Sequence, residues 1–86
     1  MKVVETPLVD ASVITVDKYK DERGFFMESF NEEQFLKEIG SYKFVQDNHS
    51  KSSKGVLRGL HYQVEKPQGK LVRCIQGAVY DVILDL

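Results

Sequence analysis

The chain has 86 residues, with 12 basic and 13 acidic side chains and a formal net charge of -1. That length allows one small domain with a limited buried fraction, and the even charge balance argues against nucleic-acid binding driven by bulk charge. Hydrophobic residues make up 42% and charged residues 29%, the composition of a soluble globular protein.

The first ten residues, MKVVETPLVD, hold no apolar stretch long enough for a signal peptide. No run approaches the roughly 20 apolar residues that cross a bilayer. A single cysteine, Cys74, excludes an internal disulfide framework and fits a reducing compartment. These features together predict a cytoplasmic protein.

Ser12 to Lys18 reads as a short strand, in which Val13 and Thr15 alternate with Ile14 and Val16. Asp21-Glu22-Arg23-Gly24 reads as a turn, and Phe25 to Phe30 as the strand after it. In that strand Phe26, Glu28 and Phe30 share one face, and Phe25, Met27 and Ser29 the other. Asn31 then opens a helix near residues 32–39. Its side chain suits the N-cap, Gln34 suits a capping box, and Phe30 with Phe35 suits a hydrophobic staple. Phe35, Leu36 and Ile39 make the expected buried stripe, and Gly40 the stop.

From Tyr42 onward the alternation predicts β-structure. Strands are expected over residues 43–50, 56–64, 70–76 and 78–86, with a polar segment at 51–55, a turn at 65–69 and a join at Gly77. Several short strands with frequent turns predict a mainly β barrel or sandwich. The last run, AVYDVILDL, has the composition of a buried strand with nothing polar after it. An unpaired apolar edge of this kind is a liability, so the 86 residues are expected to belong to a longer domain or to be covered by a partner chain.

The chemistry concentrates in GVLRGLHYQVEKPQGK, residues 55–70, which holds Arg58, His61 and Lys70. Two readings of His61 stand side by side: a hydrogen-bonded core histidine, or a general base, since histidine titrates near neutral pH. Two cations near a histidine disfavour its protonation, and they also bind phosphate or stabilise a developing oxyanion. For Arg58 or Lys70 alone, a solvated strand face is the simpler reading. Arg58 and His61 are three apart, so a regular strand sends them to opposite faces. Their cooperation therefore predicts irregular backbone near Gly59.

Asp81 shares a face with Val79 and Ile83, where a carboxylate needs a partner such as Lys70 or His61; an exposed Asp is the alternative. Gln46 and Asn48 point the same way along their strand and offer amide donors and acceptors to a ligand, or form a plain solvated face. Gly55, His61 and Gln63 fall at the spacing that opens the cupin metal motif. Glutamine stands where that motif has a second histidine, and Pro67 and Gln68 where it has a glutamate. Glutamine is a poor ligand beside histidine or carboxylate, so the pattern favours a cupin-type barrel without a metal.

Three segments, ERGFFMESFN at 22–31, FVQDNHSKSSKGVLRGLHYQ at 44–63 and QGKLVRCIQGAVYDVILDL at 68–86, resemble the dTDP-4-dehydrorhamnose 3,5-epimerase family. The resemblance covers nearly the whole chain, and RGLHYQ followed by QGKLVRC is its specific part. It implies a cupin-like jelly roll, with residues 1–86 as the N-terminal part of a longer epimerase domain. It implies inversion of two carbons flanking the C4 ketone of a dTDP-sugar through an enolate, with no cofactor. It also implies a homodimer formed by exchanged N-terminal strands.

By that resemblance His61 matches the family's base, Lys70 the lysine near the enolate oxygen, and Asp81 an acidic residue near the site. Arg58, Gln46, Asp47 and Asn48 match substrate-contacting positions, while Arg23 and Glu28 match positions that reach the nucleotide. The family's proton-donating tyrosine and the aspartate paired with its histidine come from a later half, and neither Tyr62 nor Tyr80 matches that donor. A sibling 5-epimerase or ketoisomerase, or a dTDP-sugar-binding fragment without activity, fits the same binding residues.

Overall fold

A computed structural model describes residues 1–86. Its regular elements are four strands and one helix, in the order β1 (Lys2–Glu5), β2 (Ser12–Thr15), β3 (Lys18–Asp21), β4 (Gly24–Met27) and α1 (Glu32–Glu38). The expectation of a mainly β chain with one short helix is borne out, and the arrangement is consistent with part of a cupin-like β-structure. The strands form two separate antiparallel pairs, β1 with β2 and β3 with β4.

In the first pair Lys2 faces Thr15 and Glu5 faces Ser12. The connecting loop is tied by Thr6, whose hydroxyl donates to the Ala11 carbonyl at 2.6 Å and accepts the Leu8 N–H at 3.2 Å. One strand was expected over Ser12 to Lys18, but the chain changes partner inside it. The β2 ladder to β1 stops at Thr15, and Lys18 starts a new ladder opposite Met27. Alternation marks which residues can share a face; it carries no information about which neighbour they pair with.

The second pair sets Tyr19 opposite Phe26, Lys20 opposite Phe25 and Asp21 opposite Gly24. This leaves Glu22 and Arg23 as a two-residue tip, so the expected turn is present. The Lys18 ammonium sits 3.9 Å from the centre of the Phe25 ring, a cation–π contact across the two strands.

The helix begins where its cap dictates. Asn31 has extended backbone (φ -138°, ψ 117°), and its side-chain oxygen accepts the Gln34 N–H at 3.0 Å. Glu32 and Glu33 occupy the first turn and Lys37 the last, each on the end where the helix dipole favours its charge. The Phe30 and Phe35 rings meet at 5.5 Å, and Tyr42 packs edge-on to Phe35 at 6.3 Å. Phe35 is the one buried apolar residue, 7% exposed. Leu36, expected beside it in the stripe, is 55% exposed; only the Phe35 side of the helix has aromatic rings against it.

Gly40 ends the helix, and its N–H donates to the Phe35 carbonyl at 3.1 Å. Its φ of +151° suits glycine, and a Cβ there would stand 3.1 Å from the Tyr42 ring.

The chain divides into two compact units, Met1–Tyr42 with Leu84–Leu86, and Lys43–Ile83. The first contains every strand and the helix. The second contains neither, so the strands expected over 43–50, 56–64 and 70–76, and the one over 78–86, are not formed. A strand exists only through a ladder of hydrogen bonds to a neighbouring strand, and the only ladders are those of β1 with β2 and β3 with β4. Their apolar residues stay exposed accordingly, Leu57 at 94% and Tyr80 at 96%. No helix is long and apolar enough to cross a membrane.

Candidate functional site

The candidate residues fall in both units. Arg23 and Glu28 belong to the first, on and just beyond the β3–β4 hairpin; Gln46, Asp47, Asn48, Arg58, His61, Lys70 and Asp81 belong to the second.

Arg23 is the most fully engaged of them. Its Nη2 donates to Asp21 Oδ2 at 2.7 Å and its Nε donates to the same oxygen at 3.2 Å. Its backbone N–H donates to the other carboxylate oxygen, Oδ1, at 2.8 Å. An Asp that accepts the N–H two residues on forms a turn by itself, so one carboxylate shapes the tip and fixes the guanidinium. Tyr19, Lys20, Arg23, Phe25 and Phe26 line an open cleft of about 410 Å³ here. Tyr19 and Phe26 also line a second cleft of about 250 Å³, together with Glu28 and Phe30. The strand expected over Phe25 to Phe30 is shorter, since β4 ends at Met27; Ser29 lines this cleft beside Glu28 and Phe30, so the expected alternation of faces does not continue past Met27.

The Arg23 guanidinium, and then the Arg23 backbone N–H, hold the Asp21 carboxyl below the ordinary aspartate range. A depressed pKa means that the folded form binds the carboxylate's proton less readily than the unfolded form. The stabilising contribution is therefore present above the unfolded pKa and fades as pH falls through the folded one. The Arg23 amide proton, which donates to that carboxylate, is expected to titrate by NMR with a midpoint below that of an unstructured aspartate. A midpoint at or above the unstructured value contradicts the pairing, and Asp21→Asn abolishes the transition.

In the second unit Gln46 donates its amide N–H to Asn48 Oδ1 at 3.2 Å. The two amides bond each other, but the strand on which they were expected to share a face is not formed. Arg58 donates its Nε to Ser52 Oγ at 3.0 Å. No ladder runs through residues 57–62, and Gly59 takes φ +117°, a conformation that favours glycine. The backbone at Gly59 is irregular, as it is throughout residues 43–83, so no bulged strand is present there to bring Arg58 and His61 to one face; a Cβ at Gly59 would stand 4.0 Å from His61 Nδ1.

Arg58 bonds Ser52 rather than His61. His61, Lys70, Asp47 and Asp81 are all exposed. The one ion pair of the chain joins Arg23 to Asp21, so Asp81 lacks the Lys70 or His61 partner expected for it. It needs none, because Val79 and Ile83 beside it are themselves 70% and 64% exposed and water reaches the carboxylate.

Two polar partners were not anticipated from the sequence. Asp21 could have been found, since Asp followed two residues later by Arg at a Gly-ended turn is a recognisable local pattern. Ser52 could not, because nothing in a six-residue separation ties it to Arg58.

The profile of the family described as dTDP-4-dehydrorhamnose 3,5-epimerase matches residues 5–86. Curated relatives with that description include one from Shigella flexneri, 56% identical over 88 residues, covering 100% of this chain and 49% of the relative. Another, from Methanothermobacter thermautotrophicus, is 54% identical over 85 residues, covering 99% of this chain and 46% of the relative. A third, from Neisseria gonorrhoeae, is 51% identical and longer, so that 26% of it is covered. The chain thus spans about half the length, or less, of these curated relatives. No solved structure matches it.

Proposed function

The chain belongs to the dTDP-4-dehydrorhamnose 3,5-epimerase family, and we propose that the protein carrying it inverts C3 and C5 of dTDP-4-dehydro-6-deoxy-D-glucose. The product is dTDP-4-dehydro-L-rhamnose, for dTDP-rhamnose biosynthesis. The observation that carries this reading is the family match over residues 5–86, because every candidate residue lies inside it.

The C4 ketone acidifies the hydrogens on its two neighbours. His61 takes the proton from C3 or C5 as general base. The electron pair moves onto the ketone oxygen as an enolate, and the Lys70 ammonium stabilises that charge. A proton returned to the opposite face completes each inversion. Proton transfers alone balance the reaction, so neither a redox cofactor nor a metal enters it. Asp81 contributes a further carboxylate near this chemistry. Arg58, Gln46, Asp47 and Asn48 contact the substrate, and Arg23 and Glu28 reach its nucleotide.

The same reading makes residues 1–86 the N-terminal part of a single cupin-like jelly-roll domain in a cytoplasmic homodimer that exchanges its N-terminal strands.

The test is turnover of the dTDP-4-keto sugar in deuterium oxide, followed by proton NMR. Deuterium at both C3 and C5, with the L-rhamno product, is expected. Label at C5 alone replaces the reading with a 5-epimerase, and a migrating carbonyl with a ketoisomerase. dTDP binding without any exchange leaves a sugar-nucleotide-binding module.

A further inference from the structure

We infer that Asp21 is a positioning residue, whose carboxylate holds the Arg23 guanidinium at the β3–β4 cleft in the orientation that receives the diphosphate of a nucleotide ligand. The inference rests on the nucleotide-contacting role proposed above for Arg23.

The order of constraint is visible in the bonds. Asp21 closes the β3 ladder opposite Gly24, so its backbone is set by the hairpin. Its Oδ1 accepts the Arg23 N–H at 2.8 Å, which sets the carboxylate. Its Oδ2 then accepts both Nε and Nη2 of Arg23, which sets one edge of the guanidinium plane. A guanidinium presents its donors in a rigid fork. Those on the edge turned from Asp21 stay available, and Tyr19, Lys20, Phe25 and Phe26 line the cleft together with Arg23.

The pair is open to solvent, with side chains 87% and 50% exposed for Arg23 and Asp21, so it adds little to folding stability. What it supplies is pre-organisation. A free arginine loses much rotamer freedom when it clamps a ligand, and one already held loses less.

The sign of the effect separates this role from a plain charge effect. Asp21 is an anion beside a site for an anion. If it acted only through its charge, removing it would tighten binding. If it positions Arg23, removing it weakens binding.

The experiment is calorimetric titration of dTDP into the protein and its variants. Arg23→Ala is expected to weaken binding by about tenfold or more, as loss of a charged bidentate contact does. Asp21→Ala is expected to weaken it by roughly threefold to tenfold through lost pre-organisation. Asp21→Asn keeps an acceptor for the Arg23 N–H and falls between wild type and Asp21→Ala. The double variant is no weaker than Arg23→Ala alone, because the two residues act as one unit. In turnover, Asp21→Ala raises KM and leaves kcat unchanged at saturation. Cross-strand NOEs between Tyr19 and Phe26 report an intact hairpin, and Asp21→Asn carries the test if Asp21→Ala loses them.

Unchanged or tighter binding in the Asp21 variants, while Arg23→Ala is weakened, overturns the positioning role and leaves the nucleotide role of Arg23 standing. Additive losses in the double variant also overturn it. Unchanged binding in Arg23→Ala removes the nucleotide role of Arg23, and the inference falls with it.

Discussion

His61→Ala is expected to lower the rate of solvent exchange at C3 and C5 by about 10²- to 10⁴-fold, the range over which a positioned general base accelerates proton transfer. A proton on a carbon next to a ketone leaves slowly without a base at hand. Among the candidate residue types of the second unit, arginine and lysine serve as donors, the amides of Gln46 and Asn48 are too weakly basic, and the carboxylates of Asp47 and Asp81 are weaker bases than an imidazole. Histidine combines an available lone pair with a neutral working range.

Gly59 turns through φ +117°, and the space its missing Cβ would fill lies beside the imidazole, 4.0 Å from Nδ1.

The measurement is deuterium wash-in by proton NMR, at a substrate concentration that saturates both proteins. His61→Ala should retain dTDP binding, since nucleotide contacts are assigned to Arg23 and Glu28. Exchange at the wild-type rate in His61→Ala removes it as the base, whereas lost exchange together with lost dTDP binding points to misfolding.

What could be read from the sequence follows the range of the interactions. The helix cap was legible because the Asn31 side chain and the Gln34 N–H that donates to it lie three residues apart. The hairpin tip at Asp21 to Gly24 was legible for the same reason. The ladder of β2 was not, because Ser12 pairs with Glu5 through a loop whose closure is set by the Thr6 hydroxyl. Nothing in the alternation of SVITVDK signals that the partner changes between Thr15 and Lys18.

The same limit is sharper in the second unit. VLRGLHYQV and AVYDVILDL have the residue types of strands, but β-propensity describes fitness for a paired, half-buried surface. Leu57 and Tyr80, 94% and 96% exposed, lack that surface. For the site, spacing alone placed Arg58, His61 and Lys70 close in sequence and left their roles open. The roles came from the resemblance of whole segments. The two polar partners, Asp21 and Ser52, came from the geometry.

Phe35→Ala is expected to cost about 3 kcal/mol or more, within the range for a large aromatic removed from a packed position, and to dissolve α1. The helix spans seven residues, fewer than the roughly 12 that an isolated helix needs to hold itself in water. Its cap at Asn31 contributes about 1 kcal/mol, which does not offset the cost of nucleating a helix so short. The remainder comes from packing, and the packing runs through one side chain. Phe35 is 7% exposed, with Phe30 at 5.5 Å before the cap and Tyr42 at 6.3 Å after the stop.

The Phe35 carbonyl also accepts the closing N–H groups of Ile39 and Gly40, so the aromatic cluster and the helix stop share one residue. Leu36→Ala is the control. It removes an apolar side chain of similar helix preference from the same helix, at a position 55% exposed, and should change stability by less than about 1 kcal/mol. Helical ellipticity and the Tyr42 ring shifts by NMR, followed through a urea titration, separate the two. Equal losses in the two variants would mean that α1 is held by propensity and its cap alone; a large loss confined to Phe35→Ala shows that three aromatic rings hold the helix beyond the hairpin that bears Arg23.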